Sequence, residues 1–368
     1  MKFSCEKSDL SGALSVAGRV QPHHGGVPAV KLGLEGSRLQ VSGRDPELLI
    51  EVETVVAGAD DGTMLLPAAL TAHLVNSLPE GPVEVSADDE TQAKFAAGRV
   101  RLVVQSLPDL APPFVRGPSG ETVTVDEASF KEALSQVVTA AAKDDSRDVI
   151  YTGVLFEAVA GGLRLVSTDG ARLAIRDIAG VNVLGGERQV IVPARALGEL
   201  EKVLGSRAGA GGQLSVEIGL NEAVFKTGGV ALTTRLIEGS YRDYRQIVEA
   251  ATTRKLVVDK SAFLDSARRL RILAKENREV THIRMDMEDG SVKLSVRTPQ
   301  VGEGSEALGG DFTGEPLAIA FDPDLLINGV EGVACNKAAM EFTETNRAAR
   351  ISNADDDSYR YVVMPIRI

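Results

Sequence analysis

Read as a pattern of apolar and polar positions, the chain repeats one motif three times. The stretches "CEKSDLSGALSVAGRV", "VDEASFKEALSQVVTAA" and "VDKSAFLDSARRLRILA" each pass from a strand-like lead through a polar turn into apolar residues at helical spacing. In the third, Phe263, Ala267, Leu270 and Ala274 follow i, i+4, i+7, i+11, which predicts one buried helix face. Leu10, Leu14 and Ala17 do the same in the first, and Phe130, Leu134, Val137 and Ala141 in the second. A second short helix is predicted in each copy, from "LLPAALTAHLVNSLPEG", "IVPARALGELEKVLGSR" and "AFDPDLLINGVEGV". Each has proline near the first turn, where its missing N–H is tolerated. Alternating runs such as "GVLFEAVAGGLRLVSTDGARLAIRDI" and "LSVEIGLNEAVFKTGGVALTTRLIEG" predict antiparallel strands joined by Gly- and Asp-rich turns.

Leu10, Phe130 and Phe263 lie 120 and 133 residues apart, a period too long for a solenoid. It fits three tandem copies of one α+β domain, each with two helices and antiparallel sheets. The proline-rich "PDLAPPFVRGPSGET" and the unpatterned "VEAATTRKL" mark the joints, giving copies at 1–118, 121–249 and 254–368. The last of them closes on "YRYVVMPIRI", an apolar strand followed by a proline where chain ends are usually polar.

Composition narrows the class without naming a function. The 368 residues are 43% hydrophobic and 25% charged, as in ordinary globular proteins, and the near-absence of aromatics (4%, no Trp) calls for aliphatic cores. No stretch reaches the roughly 18 apolar residues of a membrane span. "MKFSCEKSDL" turns polar too soon for a signal peptide, so a cytoplasmic location is expected. Cys5 and Cys335 are far apart and are expected to stay reduced. A formal charge of −12 argues against coating nucleic acid with the whole surface, but leaves room for basic residues on one face. There is no P-loop, dinucleotide fingerprint or metal-ligand spacing, and Asp169 in "TDGARL" reads as a turn residue beside Gly170. An enzyme therefore lacks a site, and no cofactor is expected.

The threefold repeat, "TGVLFEAVAGGLRLVSTDGARLAI", "TTRLIEGSYRDYRQIV" and the terminal "YVVMPIRI" together resemble the bacterial DNA polymerase III beta subunits, the sliding clamps. The resemblance covers essentially the whole chain and is loosest around "HHGGVPAVKLGLEG". It implies a head-to-tail homodimer that closes around duplex DNA, with helices lining the hole and sheets on the rim. Such a protein is non-catalytic and tethers polymerases to DNA, raising their local concentration as a second binding site does. Its partners would be double-stranded DNA, read without regard to sequence, and polymerase subunits, clamp loader and repair proteins carrying short linear motifs.

The resemblance also implies residue roles. A groove for partner peptides would be walled by Tyr151, Leu155, Thr168, Gly170, Ala171, Arg172 and Leu173, with Arg242, Gln246, Ile247 and Leu325 adding to it. Asn346 and the terminal Val362, Val363, Met364, Pro365, Ile366 and Arg367 would close it, with plain core as the alternative reading of Leu155 and Val362. Sliding needs cations on the hole-lining helices. Arg268, Arg271, Lys275 and Arg278 form one acid-free stripe on the third copy's first helix, at i, i+3, i+7, i+10. Arg19, Lys143, Arg147, Lys202 and Arg207 are the weaker counterparts elsewhere, and His24 sits in a loop that is as readily an ordinary exposed one. Ring closure would use the edge strand "RLVVQSLP", through Leu102 and Val104, against Ile272 and Leu273 of the partner subunit's third copy. Tyr151, Ala171, Arg242 and Gln246 depart from the family pattern, which raises the alternative of a specialised second clamp with altered partner or inhibitor affinity.

Overall fold

The computed structural model describes residues 1–20, 27–87, 91–108, 120–143, 148–184, 188–206, 212–276, 282–288 and 290–367. The described helices are α1 (Lys7–Ala17), α2 (Ala68–Ser77), α3 (Glu127–Val137), α4 (Ala194–Ser206), α5 (Arg245–Val248), α6 (Lys260–Glu276) and α7 (Pro323–Glu331). The expected apolar faces are buried: Leu10, Leu14 and Ala17 of α1, Phe130, Leu134 and Val137 of α3, and Phe263, Ala267, Leu270 and Ala274 of α6. The proline signals also hold. Pro193 immediately precedes α4, Pro67 caps α2, and Pro323 opens α7 behind an Asp322 N-cap. The Asp322 carboxylate accepts the N–H groups of Asp324 and Leu325 at 2.8 and 3.2 Å.

The chain divides by contact into two compact units that cut across the sequence repeat. One comprises Met1–Ala128 and Glu199–Leu236, the other Ser129–Gly198 and Ile237–Ile368. The cause is visible in the strand pairing. In the first unit Val230–Arg235 of the second copy pairs antiparallel with Leu48–Val55 of the first, with Leu232 opposite Ile50. This fuses strands of two copies into one eight-stranded sheet, which runs from Thr122–Asp126 to Gly62–Pro67. A five-stranded sheet, ordered Ala57–Asp60, Lys2–Glu6, Pro82–Ser86, Gln92–Ala97 and Val100–Gln105, completes that unit. Its core runs from Phe3 and Leu10 through Val41 and Leu66 to Phe95 and Val104.

The second unit repeats the device. Arg172–Ala179 of the second copy pairs with the terminal strand Tyr359–Val363, with Ala174 opposite Tyr361. Tyr359–Val363 thus lies inside a nine-stranded sheet, between Arg172–Ala179 and Ala349–Asn353. A four-stranded sheet, ordered Gly302–Gly309, Ser291–Thr298, Ile283–Glu288 and Leu317–Phe321, packs under α6. The apolar terminus is therefore an interior strand that needs both neighbours to satisfy its backbone.

One expectation fails at the sheet edge. Val100–Gln105 is indeed the last strand of its sheet, but Val104 is 2% exposed and belongs to that unit's own core, with Leu102 packed against it. Side chains alternate along a strand, so Val103, at 54% exposure, is the outward apolar residue. Ile272 is 70% exposed on α6, as a contact residue requires, whereas Leu273 is half-buried.

Candidate groove and basic helix face

An apolar cluster in the second unit assembles from residues far apart in sequence. Leu155, Val166, Leu173 and Ile175 come from adjacent strands, Ile191 from the edge strand, and Val362 from the terminal strand. Tyr244 and Val248 cover it from α5 and the residue before it, with Ile150, Ile237, Tyr241 and Ala348 at the margin. That covering segment is tied down by polar contacts: the Tyr244 hydroxyl donates to Glu157 at 2.5 Å, and Arg245 pairs with the same carboxylate. Burial, reinforced by Glu157, pushes the Tyr244 phenol up to about 12. Arg350 reaches from its own strand to the Val248 carbonyl at 3.0 Å.

The "TDGARL" segment forms the tight turn its composition predicts. The Asp169 carboxylate accepts the Ala171 and Arg172 N–H groups at 2.9 and 3.0 Å, and Gly170 takes a left-handed conformation with φ of 89°. The turn presents the Ala171 carbonyl to the chain terminus, where Met364 N–H donates to it at 2.9 Å. Two residues on, Ile366 N–H donates to Ala320 at 2.8 Å. The tail beyond Val363 is thus pinned as an ordered lip.

The other expected groove residues range from half-buried to exposed. Thr168, Ala171, Tyr151, Pro365 and Ile366 are half-buried, while Gly170, Arg242, Gln246, Asn346 and Arg367 are exposed. Ile247 and Met364, at 53% and 47% exposure, are the large apolar side chains left open to solvent. Leu155, Leu173 and Val362 are buried in the apolar cluster, in keeping with the plain-core reading of Leu155 and Val362. Tyr151 meets Tyr241 edge-on at 6.1 Å, and the Arg242 guanidinium lies 6.0 Å from the Tyr151 ring centre.

Two expected groove residues face away from the cluster, and a third stands on α7. Val363 is fully buried and shares its strand face with Tyr359 and Tyr361, whose hydroxyls donate to Gly329 and Leu325 of α7 at 3.0 and 2.9 Å. Arg172 stands opposite Val363 in the register, so it too faces away from the cluster, paired with Asp169 at 3.0 Å. Leu325 is half-buried on α7 and receives the Tyr361 hydroxyl on its carbonyl. Sequence reading missed Val166 and Ile175, although the alternation of their strands signals them, and Val166 stands opposite Ile175. Ile191, Ile237 and Tyr244 gave no local signal, because only strand order and a long connection bring them in.

The basic stripe of α6 is present, but it is not free. Arg271 and Lys275 both pair with Asp324 of α7, at 2.5 and 2.7 Å, and Arg268 pairs with Glu331 of α7 at 2.8 Å. Arg269 pairs with Glu306 on the strand Gly302–Gly309 at 2.7 Å. Burial alone would raise the Asp324 carboxyl, yet Lys275 and Arg271 outweigh it and hold it below the ordinary range. The first unit has a looser counterpart, in which the acid and one of its cations share a helix. Glu199 of α4 lies 2.7 Å from Lys202 and 3.9 Å from Arg19. Lys143 is exposed, while His24, Arg147, Arg207 and Arg278 fall outside the described residues. Among the described residues there is no group of three His, Cys, Asp or Glu placed to hold a metal, and no helix is long and apolar enough to cross a membrane.

Comparison with known proteins gives these surfaces a context. Three domain models of the DNA polymerase III beta subunit match in tandem: the N-terminal at residues 1–111, the central at 124–243 and the C-terminal at 245–367. The chain is 28% identical to the "Beta sliding clamp" of Streptomyces coelicolor and 26% identical to that of Pseudomonas putida, each over the full length of both chains. Among solved structures it resembles the sliding clamp of Bartonella birtlesii bound to griselimycin, at 25% identity and a TM-score of 0.90. It also resembles the Pseudomonas aeruginosa clamp with a ligand, at 26% identity and a TM-score of 0.88. Both alignments cover all of each chain.

Proposed function

The chain belongs to the DNA polymerase III beta subunit family, the sliding clamps, and we propose that it works as a processivity factor with two surfaces on the second unit. The first is a peptide groove over the Leu155–Leu173–Val362 floor. The second is the α6 face, which meets the DNA backbone. Neither needs chemistry from the protein itself. The family's ligand-bound relatives support a ligand-accepting surface, and their plain clamp names favour general replication over a specialised role.

The observation that carries the groove is its lip. Met364 to Ile366 are fixed by hydrogen bonds to Ala171 and Ala320, yet Met364 stays about half exposed over an apolar floor. A preordered apolar lip accepts a partner's side chains without first paying to order itself. Methionine also adapts to different occupants, which suits a surface shared by polymerase, loader and repair motifs. Sequence-independent attraction to phosphates through Arg268, Arg271 and Lys275 suits sliding, since such contacts carry no base information.

The ring itself is part of this proposal: a head-to-tail homodimer of three-domain subunits, with domains at 1–118, 121–249 and 254–368, acting in the cytoplasm. Its contact would draw on the outward face of Val100–Gln105, where Val103 is the exposed apolar residue, and on Ile272. Gel filtration should give about twice the 38.9 kDa of one chain, and a monomer at micromolar concentration would refute the ring. The decisive assay uses nicked circular DNA with an ATP-driven loader. The protein should stay on the circle and leave once the DNA is linearised. Retention on linear DNA in high salt would overturn the sliding reading.

A further inference from the structure

We propose that Asp324 and Glu331 of α7 act as built-in stand-ins for DNA phosphates, holding the cations of α6 in place and keeping this protein's grip on DNA weak. The inference rests on the reading of α6 as the DNA-facing helix and adds to it what limits that contact. Three of the four stripe cations are described, and each already has a carboxylate at ion-pair distance: Arg271 and Lys275 on Asp324, Arg268 on Glu331. The carboxylates are well placed to do this. Asp324 sits in the first turn of α7, where the helix dipole stabilises an acid, and its backbone N–H is taken by Asp322. Glu331 ends the same helix, and its carbonyl accepts the Lys260 ammonium at 3.0 Å. The helix is fixed from behind by Tyr359 and Tyr361 of the terminal strand. The acids are therefore carried on a rigid element and not on wandering side chains of the stripe's own helix.

The first unit holds a partial counterpart, in which Arg19 lies beside an acid of another helix and Lys202 shares the acid's own helix. Glu199 on α4, the second helix of the second copy, lies beside Lys202 and Arg19 in the first unit. In both units the acid comes from the second helix of a copy and the paired cations include one from, or just after, a first helix.

The energetic consequence has a definite sign. All the side chains involved are between 38% and 52% exposed, so each pair is a modest interaction that phosphates can displace. When DNA takes the cations, the freed carboxylates recruit cations from solution. This offsets part of the counterion release that drives binding. The acids thus lower affinity and flatten its salt dependence together. For a protein that must move along DNA, weak and easily exchanged contacts shorten the stay at any one phosphate.

The test is equilibrium binding of the full-length protein to a fluorescent 30-base-pair duplex across a salt series. The variants are Asp324→Asn with Glu331→Gln, and separately Arg268→Ala with Arg271→Ala. Both acid substitutions keep shape, and a thermal melt confirms that each variant is folded. The acid double variant should bind roughly four- to twenty-fivefold tighter at low salt, about two- to fivefold per carboxylate. Its plot of log affinity against log salt should steepen by about one to two. The arginine double variant should bind more weakly. If the arginine variant binds as the parent does, the DNA-facing reading of α6 fails and takes this inference with it. If the arginine variant weakens but the acid variant leaves affinity and slope unchanged, or lowers affinity, the inference alone is overturned.

Discussion

The two proposed surfaces of the second unit are built on opposite principles. The groove is apolar, and its floor is assembled from six or more separate stretches of chain, with its lip locked by backbone hydrogen bonds to Ala171 and Ala320. The α6 face is charged, comes almost entirely from one helix, and is held by side-chain ion pairs to α7. One is a surface whose shape is the asset, since apolar burial is short-ranged and rewards fit. The other is a surface whose charge is the asset, and charge acts through exchangeable contacts over a distance set by salt. The same terminal strand serves both: Val362 faces the groove, while Tyr359 and Tyr361 brace the helix that carries the acids.

Removing the lip separates the two surfaces most sharply. Deleting residues 364–368 should weaken a polymerase-tail peptide by about 2–3 kcal/mol, roughly 30- to 150-fold, because the exposed anchor Met364 goes with it. Fluorescence anisotropy with a labelled peptide measures this. DNA affinity of the same variant should stay within about twofold, since α6 and α7 keep their pairs. Equal loss on both surfaces would show that the lip supports the whole unit and is not a dedicated groove element.

Gly329→Ala attacks the strut that the two surfaces share. A Cβ at this position would meet the rigid Tyr361 ring at 2.5 and 2.7 Å, and the Ile351 terminal methyl at 2.9 Å. Overpacking of this kind should cost about 1–3 kcal/mol, read as a lower denaturant midpoint with an unchanged slope. Peptide and DNA binding should then decline together as the fraction of folded protein falls. Loss of one function at full stability would mean that α7 supports only that surface.

How much of this could be read from the chain follows the same division. Every apolar position of the α6 face and its cations obeys a 3.6-residue period, so Phe263 through Ala274 and Arg268 through Lys275 were legible. The acids that neutralise them were not, because Asp324 and Glu331 sit some fifty residues downstream and only the packing of α7 on α6 brings them in. The groove shows the converse. Its lip announces itself as an apolar terminus, but which residues of a strand face the groove depends on register against distant strands. Val363 and Arg172 therefore fell on the wrong side, because they stand opposite each other on the face that packs toward α7. The edge strand "RLVVQS" misled for a simpler reason: Leu102, Val103 and Val104 are three apolar residues in a row, and alternation does not choose between two apolar parities. The second copy's strands are shared between two sheets, a pairing that no single copy's pattern contains.

The smallest effect expected is also the one that tests whether the groove is purely apolar. Arg242 is exposed and lies over the Tyr151 ring, and among the described residues no carboxylate pairs with it. The acids nearby are already engaged: Asp243 with Arg245, Glu157 with Arg245 and Tyr244, Asp169 with Arg172 and its own turn. An uncompensated guanidinium on an aromatic support at the groove's rim should favour a peptide that carries a carboxylate beside its apolar motif. Arg242→Ala should weaken such a peptide by about 0.5–1 kcal/mol, roughly two- to fivefold, and leave a neutral peptide unchanged. The loss should shrink as salt rises, since the rim lies in water and its charge is screened. If both peptides weaken equally, Arg242 acts by holding Tyr151 in place, and the groove discriminates by shape alone, as its floor does. If only the acidic peptide weakens, the two surfaces differ less than their floors suggest, for each would use an exposed arginine to capture an anion over a rigid support.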